Sequence, residues 1–182
     1  MYEVEVKLRA DHAAVRSTLD DIDAEALGTV TQTDDYYNHP TRDFAETDEA
    51  LRIRREINQG ARGELTYKGP LVESASKTRK ELETGVDDAE TLASILTALD
   101  FDQVATVRKT RDRYSLDGFT VSLDEIDGIG TFVEVETTAP ESAIEAERDR
   151  AYDLLRRLGL DPSDQIRASY LEMVLEREHN PR

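Results

Sequence analysis

Tyr2–Arg9 alternates: apolar Tyr2, Val4, Val6 and Leu8 are interleaved with Glu3, Glu5, Lys7 and Arg9. Successive side chains of a strand point to opposite faces, so this period of two predicts a β-strand with one apolar and one charged face. The same period returns along the chain. It predicts an extended segment over residues 26–37, a strand over 50–57, and a returning strand over 64–68 that Gly69 and Pro70 should end. Further strands are expected at 78–86, 103–116, 118–124 and 131–137, joined by turns at Asp117-Gly118 and at 126–130.

A helical period is interspersed. Asp11 can cap a helix to about Leu19, and Asp87 or Asp88 one through Leu99 with Leu92, Ile95 and Leu96 on one face. Pro140 should open a long helix to about Leu158, and Pro162 and Ser163 a last helical stretch over 164–177. That makes about eight strands, mostly in hairpins, and three or four helices. No linker divides them, so a single domain over residues 1–182 is expected. EVEVK and FVEVE resemble each other, but two short segments do not establish a repeat.

The polar faces carry the chemistry. Glu3, Glu5 and Lys7 share one face of the first strand, and Arg52 and Arg54 a face of another. Lys77, Arg79, Glu81 and Glu83 have one parity, as do Lys109, Arg111 and Arg113, Thr120, Ser122 and Asp124, and Glu134 and Glu136. Any one pair reads as a solvent face, since charges are mostly exposed. The set reads differently, because the chain has 40 acidic and only 23 basic residues and gathers many of its scarce cations on these strands. If the sheet curls into a barrel, its interior becomes a channel lined by cations with a cluster of carboxylates. Arg and Lys bind phosphate oxygens, and clustered carboxylates hold Mg²⁺ or Mn²⁺ through oxygen. The pair of devices matches a triphosphate undergoing phosphoryl or nucleotidyl transfer. No GxxxxGK[ST] loop is present, so side chains must hold the phosphates.

Composition narrows the classes. The net charge of -17 repels nucleic acid and anionic membranes, and fits either the acidic surface of a halophile's protein or an ordinary acidic cytosolic one. Cysteine is absent, which excludes disulfides, thiolate zinc and a cysteine nucleophile; His12, His39 and His179 make no ligand spacing. There is no long apolar run and the first residues are charged, so a cytoplasmic protein without signal peptide or membrane span is expected. Tyr36 and Tyr37 are expected to pack in the core or a wall, the mouth of such a channel being the alternative.

These features, in order, resemble the CYTH superfamily of triphosphate tunnel metalloenzymes, and within it the class IV adenylyl cyclase-like branch. The ExExK motif stands as Glu3-Val4-Glu5-Val6-Lys7; TYKGP, KTRKELE, VRKTRDRY, VSLDEIDGIGTFVEVE and SYLEMV follow. The resemblance covers nearly the whole chain. It implies an α+β fold, an eight-stranded antiparallel tunnel with helices outside. It implies that Lys7, Arg52, Arg54, Lys68, Arg79, Lys109, Arg111 and Arg113 face a nucleotide or inorganic triphosphate. Glu3, Glu5, Asp124, Glu134 and Glu136 would serve the Mg²⁺ or Mn²⁺, with Glu81 as a further candidate, and Lys7, Arg111 and Glu136 would bear on catalysis. For Arg79 and Arg113 a structural ion pair inside the barrel is the alternative. A homodimer is plausible from the family.

The resemblance implies an enzyme without fixing its reaction. Adenylyl cyclase, thiamine triphosphatase and inorganic tripolyphosphatase all occur in the family, and a non-catalytic polyphosphate or nucleotide binder is a further alternative. Some triphosphatase members use a lysine late in the chain. Here none follows Lys109, and arginine is a poor base at neutral pH. This favours the cyclase, although a general bias against lysine would leave the same gap.

Overall fold

The computed structural model describes residues 1–73 and 77–180. Its strands are β1 (Tyr2–Arg9), β2 (Glu25–Asn38), β3 (Ala50–Glu56), β4 (Gly63–Glu73), β5 (Lys77–Val86), β6 (Asp102–Leu116), β7 (Phe119–Ile126) and β8 (Gly130–Ala139). They close into an antiparallel barrel in the order β1-β5-β4-β3-β2-β6-β7-β8. Closure leaves no sheet edge to pair with another chain. The alternation decides which face turns inward. The apolar set Val6, Leu8, Val121, Leu123, Val133 and Val135 points out, where helices can cover it, and the charged set is left to the interior.

Helices α1 (His12–Asp21) and α4 (Ile144–Arg157) cover that outer face through Val15, Leu19, Ala151, Leu154 and Leu155. Fully burying one such aliphatic side chain contributes roughly 1.5–3 kcal/mol, so this sandwich of barrel wall and helix is the main core. Helix α3 (Ala89–Ala98) covers Tyr37 and Ile53 on the far wall. Gly63 marks how close that approach is: a Cβ there would meet the Ala89 Cβ and the Arg54 carbonyl, both at 2.8 Å. Helix α5 (Tyr170–His179) seals Val107, Ile126 and Phe132 at one end of the barrel. Among the described residues, no helix is long and apolar enough to cross a membrane.

Local chemistry sets most boundaries. Asp11 and Asp88 cap α1 and α3 by accepting from the N–H groups of Ala13 and Thr91. The β6–β7 turn places Asp117 and Gly118 at positive φ, the geometry that a tight two-residue hairpin needs. Four expectations need correction. Gly69-Pro70 does not end β4, which runs on to Glu73; a register irregularity between Lys68 and Leu71 absorbs the residue without an N–H. The loop after β2 contains a short helix α2 (Phe44–Thr47), capped by Asp43. Pro140 opens a 3₁₀ turn, Glu141–Ala143, before α4 begins at Ile144. The last helix begins at Tyr170, not at 164. The Ile166 N–H donates to the Lys7 carbonyl at 2.7 Å, which ties this stretch to β1, and Ser169 with Glu172 forms a capping box that starts the helix.

Candidate active site

The two similar strings, EVEVK and FVEVE, lie side by side. Strands β1 and β8 pair antiparallel with Glu5 opposite Glu136 and Lys7 opposite Glu134. Period two puts Glu3 on the same inward face as Glu5. Oxygen atoms of Glu3, Glu5 and Glu136 thereby come within 4.8 Å of one another. Burial, reinforced by the Glu134, Glu3 and Glu5 charges and opposed by Arg111, pushes the Glu136 carboxyl up to about 8. Carboxylates held this close repel one another, and a divalent ion relieves it. Three oxygen ligands of this kind fit a hard cation such as Mg²⁺ or Mn²⁺.

The cations expected to face a triphosphate all line the same cavity, whose volume is about 940 Å³. Lys7 and Lys109 are each 3% exposed, and Arg52, Arg79 and Arg111 are also buried. Lys68 donates to Glu3 at 2.8 Å and lies 3.0 Å from Glu81, so Glu81 serves as a counter-charge here. Arg79 donates to the carbonyls of Asp48 and Gly69 and to the Asp48 carboxylate. The side chain of Lys77 lies outside the described residues.

The acidic positions divide by their partners. Glu134 lines the cavity but accepts from Arg111 at 2.7 Å, and that guanidinium, together with Lys7, outweighs burial and holds it far below the usual carboxylate range. Asp124 is fully buried, is no part of the cavity lining, and accepts from Arg111 and Tyr170. Neither belongs to the group of three carboxylates. The cations divide too. Arg52 Nε and Arg113 Nε are buried donors with no protein acceptor among the described residues, and both side chains line the cavity. An anion in the cavity would satisfy them.

Sequence reading missed Asp34. It is buried, accepts two bonds from Arg54 at 2.7 and 2.8 Å, and lies 3.7 Å from Arg52 and 3.8 Å from Lys109. Burial alone would raise its carboxyl; the Arg54 and Lys109 charges prevail and hold it far below the usual range. The available signal was its parity with Gln32 and Tyr36 on β2. Tyr170 was also missed, although SYLEMV was noticed. Both tyrosines line the cavity and also pack in a wall, Tyr36 near Val107 and Tyr37 under α3.

The interior of this closed antiparallel barrel thus joins a group of three carboxylates to a row of cations, two of which keep a buried donor without a protein acceptor among the described residues. The CYTH domain family matches residues 1–170, and the chain belongs to that family. It is 35% identical over 178 residues to a candidate adenylate cyclase of Methanocaldococcus jannaschii, covering 95% of this chain and 98% of that one. It is 29% identical over 172 residues to adenylate cyclase CyaB of Aeromonas hydrophila, covering 93% and 86%. The solved structure of PH1819 from Pyrococcus horikoshii superposes with a TM-score of 0.87 at 38% identity, over 96% and 99% of the two chains. A Hippeastrum protein studied as a candidate adenylyl cyclase, with a dominant triphosphatase activity, shares the fold at TM-score 0.70 and 20% identity, over 96% and 95%.

Proposed function

We propose that this protein is a metal-dependent enzyme of triphosphates that converts ATP to 3′,5′-cyclic AMP and pyrophosphate. The observation that carries the reading is the meeting, inside one closed tunnel, of the Glu3, Glu5 and Glu136 carboxylates with a row of cations, of which Arg52 and Arg113 keep a buried Nε donor without a protein acceptor among the described residues. The names of the Methanocaldococcus and Aeromonas relatives point the same way. Glu3, Glu5 and Glu136 would hold Mg²⁺ or Mn²⁺, which when bound would neutralise charge on the phosphates.

The chain's own part is binding and orientation. Lys7, Lys109, Arg52, Arg54 and Arg113 present donors to the phosphate oxygens, and Arg111, two positions from Lys109 on β6, has its direction fixed by Asp124. In cyclisation the ribose 3′-oxygen bonds to the α-phosphorus, the bond from that phosphorus to the β-bridging oxygen breaks, and the 3′-hydroxyl proton is released. The arginine and lysine charges stabilise the pyrophosphate that leaves. The cavity also presents apolar side chains, Leu27, Val104 and Leu175 among them, which an organic head group can use and inorganic tripolyphosphate cannot.

Phosphorus NMR of the protein with Mg²⁺ or Mn²⁺, given ATP and tripolyphosphate separately, tests the reading. Cyclic AMP and pyrophosphate from ATP are expected. Orthophosphate from tripolyphosphate, with no cyclic product from ATP, would make the protein a triphosphatase. Binding with no turnover would make it a carrier or sensor of polyphosphate.

A further inference from the structure

Lys7 and Lys109 are buried deep in the tunnel, yet among the described residues neither has a hydrogen-bonded carboxylate. Their nearest acidic oxygens are on Glu5 at 3.6 Å and on Asp34 at 3.8 Å, beyond hydrogen-bond length. Buried ammonium groups need compensation, and a close carboxylate would supply it by occupying the donors that a phosphate must use. The structure supplies something else. The ring of Tyr170 lies 4.2 Å from the Lys7 ammonium and 5.5 Å from that of Lys109. A π face attracts a cation through its quadrupole while leaving N–H groups free.

Tyr170 arrives from outside the barrel. The capping box of Ser169 and Glu172 starts α5 at this residue, so the first side chain of the helix enters the barrel end, 7% exposed. Its ring meets Phe132 at 5.1 Å in an edge-on packing that fixes its plane. Its hydroxyl donates to Asp124 at 2.8 Å, and Asp124 in turn grips Arg111. One side chain therefore touches two tunnel lysines and, through one carboxylate, an arginine.

We propose that Tyr170 is a positioning residue for the triphosphate, its ring facing the amino groups of Lys7 and Lys109 while leaving their N–H donors unclaimed and its hydroxyl aiming Arg111 through Asp124. This rests on the reading of the tunnel as a triphosphate site.

The test is calorimetric titration with inorganic tripolyphosphate, without added metal, so that neither turnover nor the carboxylate group enters. Tyr170→Phe removes only the bond to Asp124 and is the reference for a series with difluorophenylalanine and pentafluorophenylalanine at position 170. Fluorine draws electron density from the ring face while nearly preserving its shape. Affinity is expected to fall stepwise with fluorination, by about tenfold across the series, at unchanged stoichiometry. Tyr170→Leu, which removes the ring, should bind at least as weakly as the last member. Equal affinity across the series overturns the role of the ring. So does a loss confined to stoichiometry, because a purely structural residue lowers the competent fraction and not the affinity of what remains folded. Failure of the unaltered protein to bind tripolyphosphate would instead overturn the tunnel reading, and the proposal with it.

Discussion

Arg111 and Asp124 form a two-point pair: Nε and Nη2 of the arginine donate to Oδ1 and Oδ2 of the aspartate, each at 2.6 Å. They face each other across the β6–β7 ladder, and Asp124 has no exposed surface. With the Tyr170 hydroxyl also donating to it, Asp124 is committed to the protein. Its place is behind the guanidinium that it orients, apart from the group of Glu3, Glu5 and Glu136 proposed to hold the metal.

Asp124→Asn keeps the shape and deletes the charge. Arg111 then stays buried with Glu134 as its remaining carboxylate partner among the described residues. Breaking one side of a buried pair costs about 3–5 kcal/mol, and urea unfolding should show a loss of this order. Tripolyphosphate affinity should fall as well, since the guanidinium loses its fixed direction. An unchanged unfolding midpoint would mean that the pair contributes nothing net.

Glu5→Gln and Glu136→Gln each remove one carboxyl group from the proposed metal site. Mn²⁺ binding, read by electron paramagnetic resonance of the free ion, should weaken by about tenfold or more in either variant. Asp124→Asn should weaken it far less. Equal losses at all three positions would show that the group extends to Asp124.

Lys109 gives the pH dependence. Burial, then the Arg111 and Arg54 charges, push its ammonium from the ordinary 10.5 down to about 7. Between these values the unfolded chain binds the proton and the folded chain does not, so this group makes ligand-free stability rise with pH from about 7 to 10.5 and leaves it flat below. A bound polyanion favours the charged form. Tripolyphosphate binding at pH 8 should therefore take up close to one proton, and affinity should decline as pH rises above 7. Calorimetry in buffers of different ionisation enthalpy measures the uptake, which Lys109→Arg should abolish.

Leu155→Ala tests the outer core. The side chain is fully buried between α4 and the barrel wall. Removing it should cost about 2–5 kcal/mol in urea unfolding. Tripolyphosphate affinity at a temperature where the variant is folded should not change, because Leu155 faces away from the tunnel.

Much of this was legible from the alternation alone. Which residues share a face is fixed by the period of two, so the inward set, the outward set and most strand positions follow from the sequence. Helix caps at Asp11 and Asp88 are local hydrogen bonds and are equally readable. The ordered motifs resemble a known family strongly enough to give the number of strands and their closure. Parity, however, says only that charges share a face, and not how far apart they stand across the barrel. Ring order and register are set by closure of the whole sheet, and they alone put Glu136 beside Glu5 while spending Asp124 on Arg111. Tyr170 was hidden for a related reason. Its helix is distant in sequence from β1 and β6, and only docking of that helix on the barrel end brings an aromatic face under two lysines. Short-range periodicity is written in the chain; the pairing of buried charges depends on contacts that exist only once the barrel has closed.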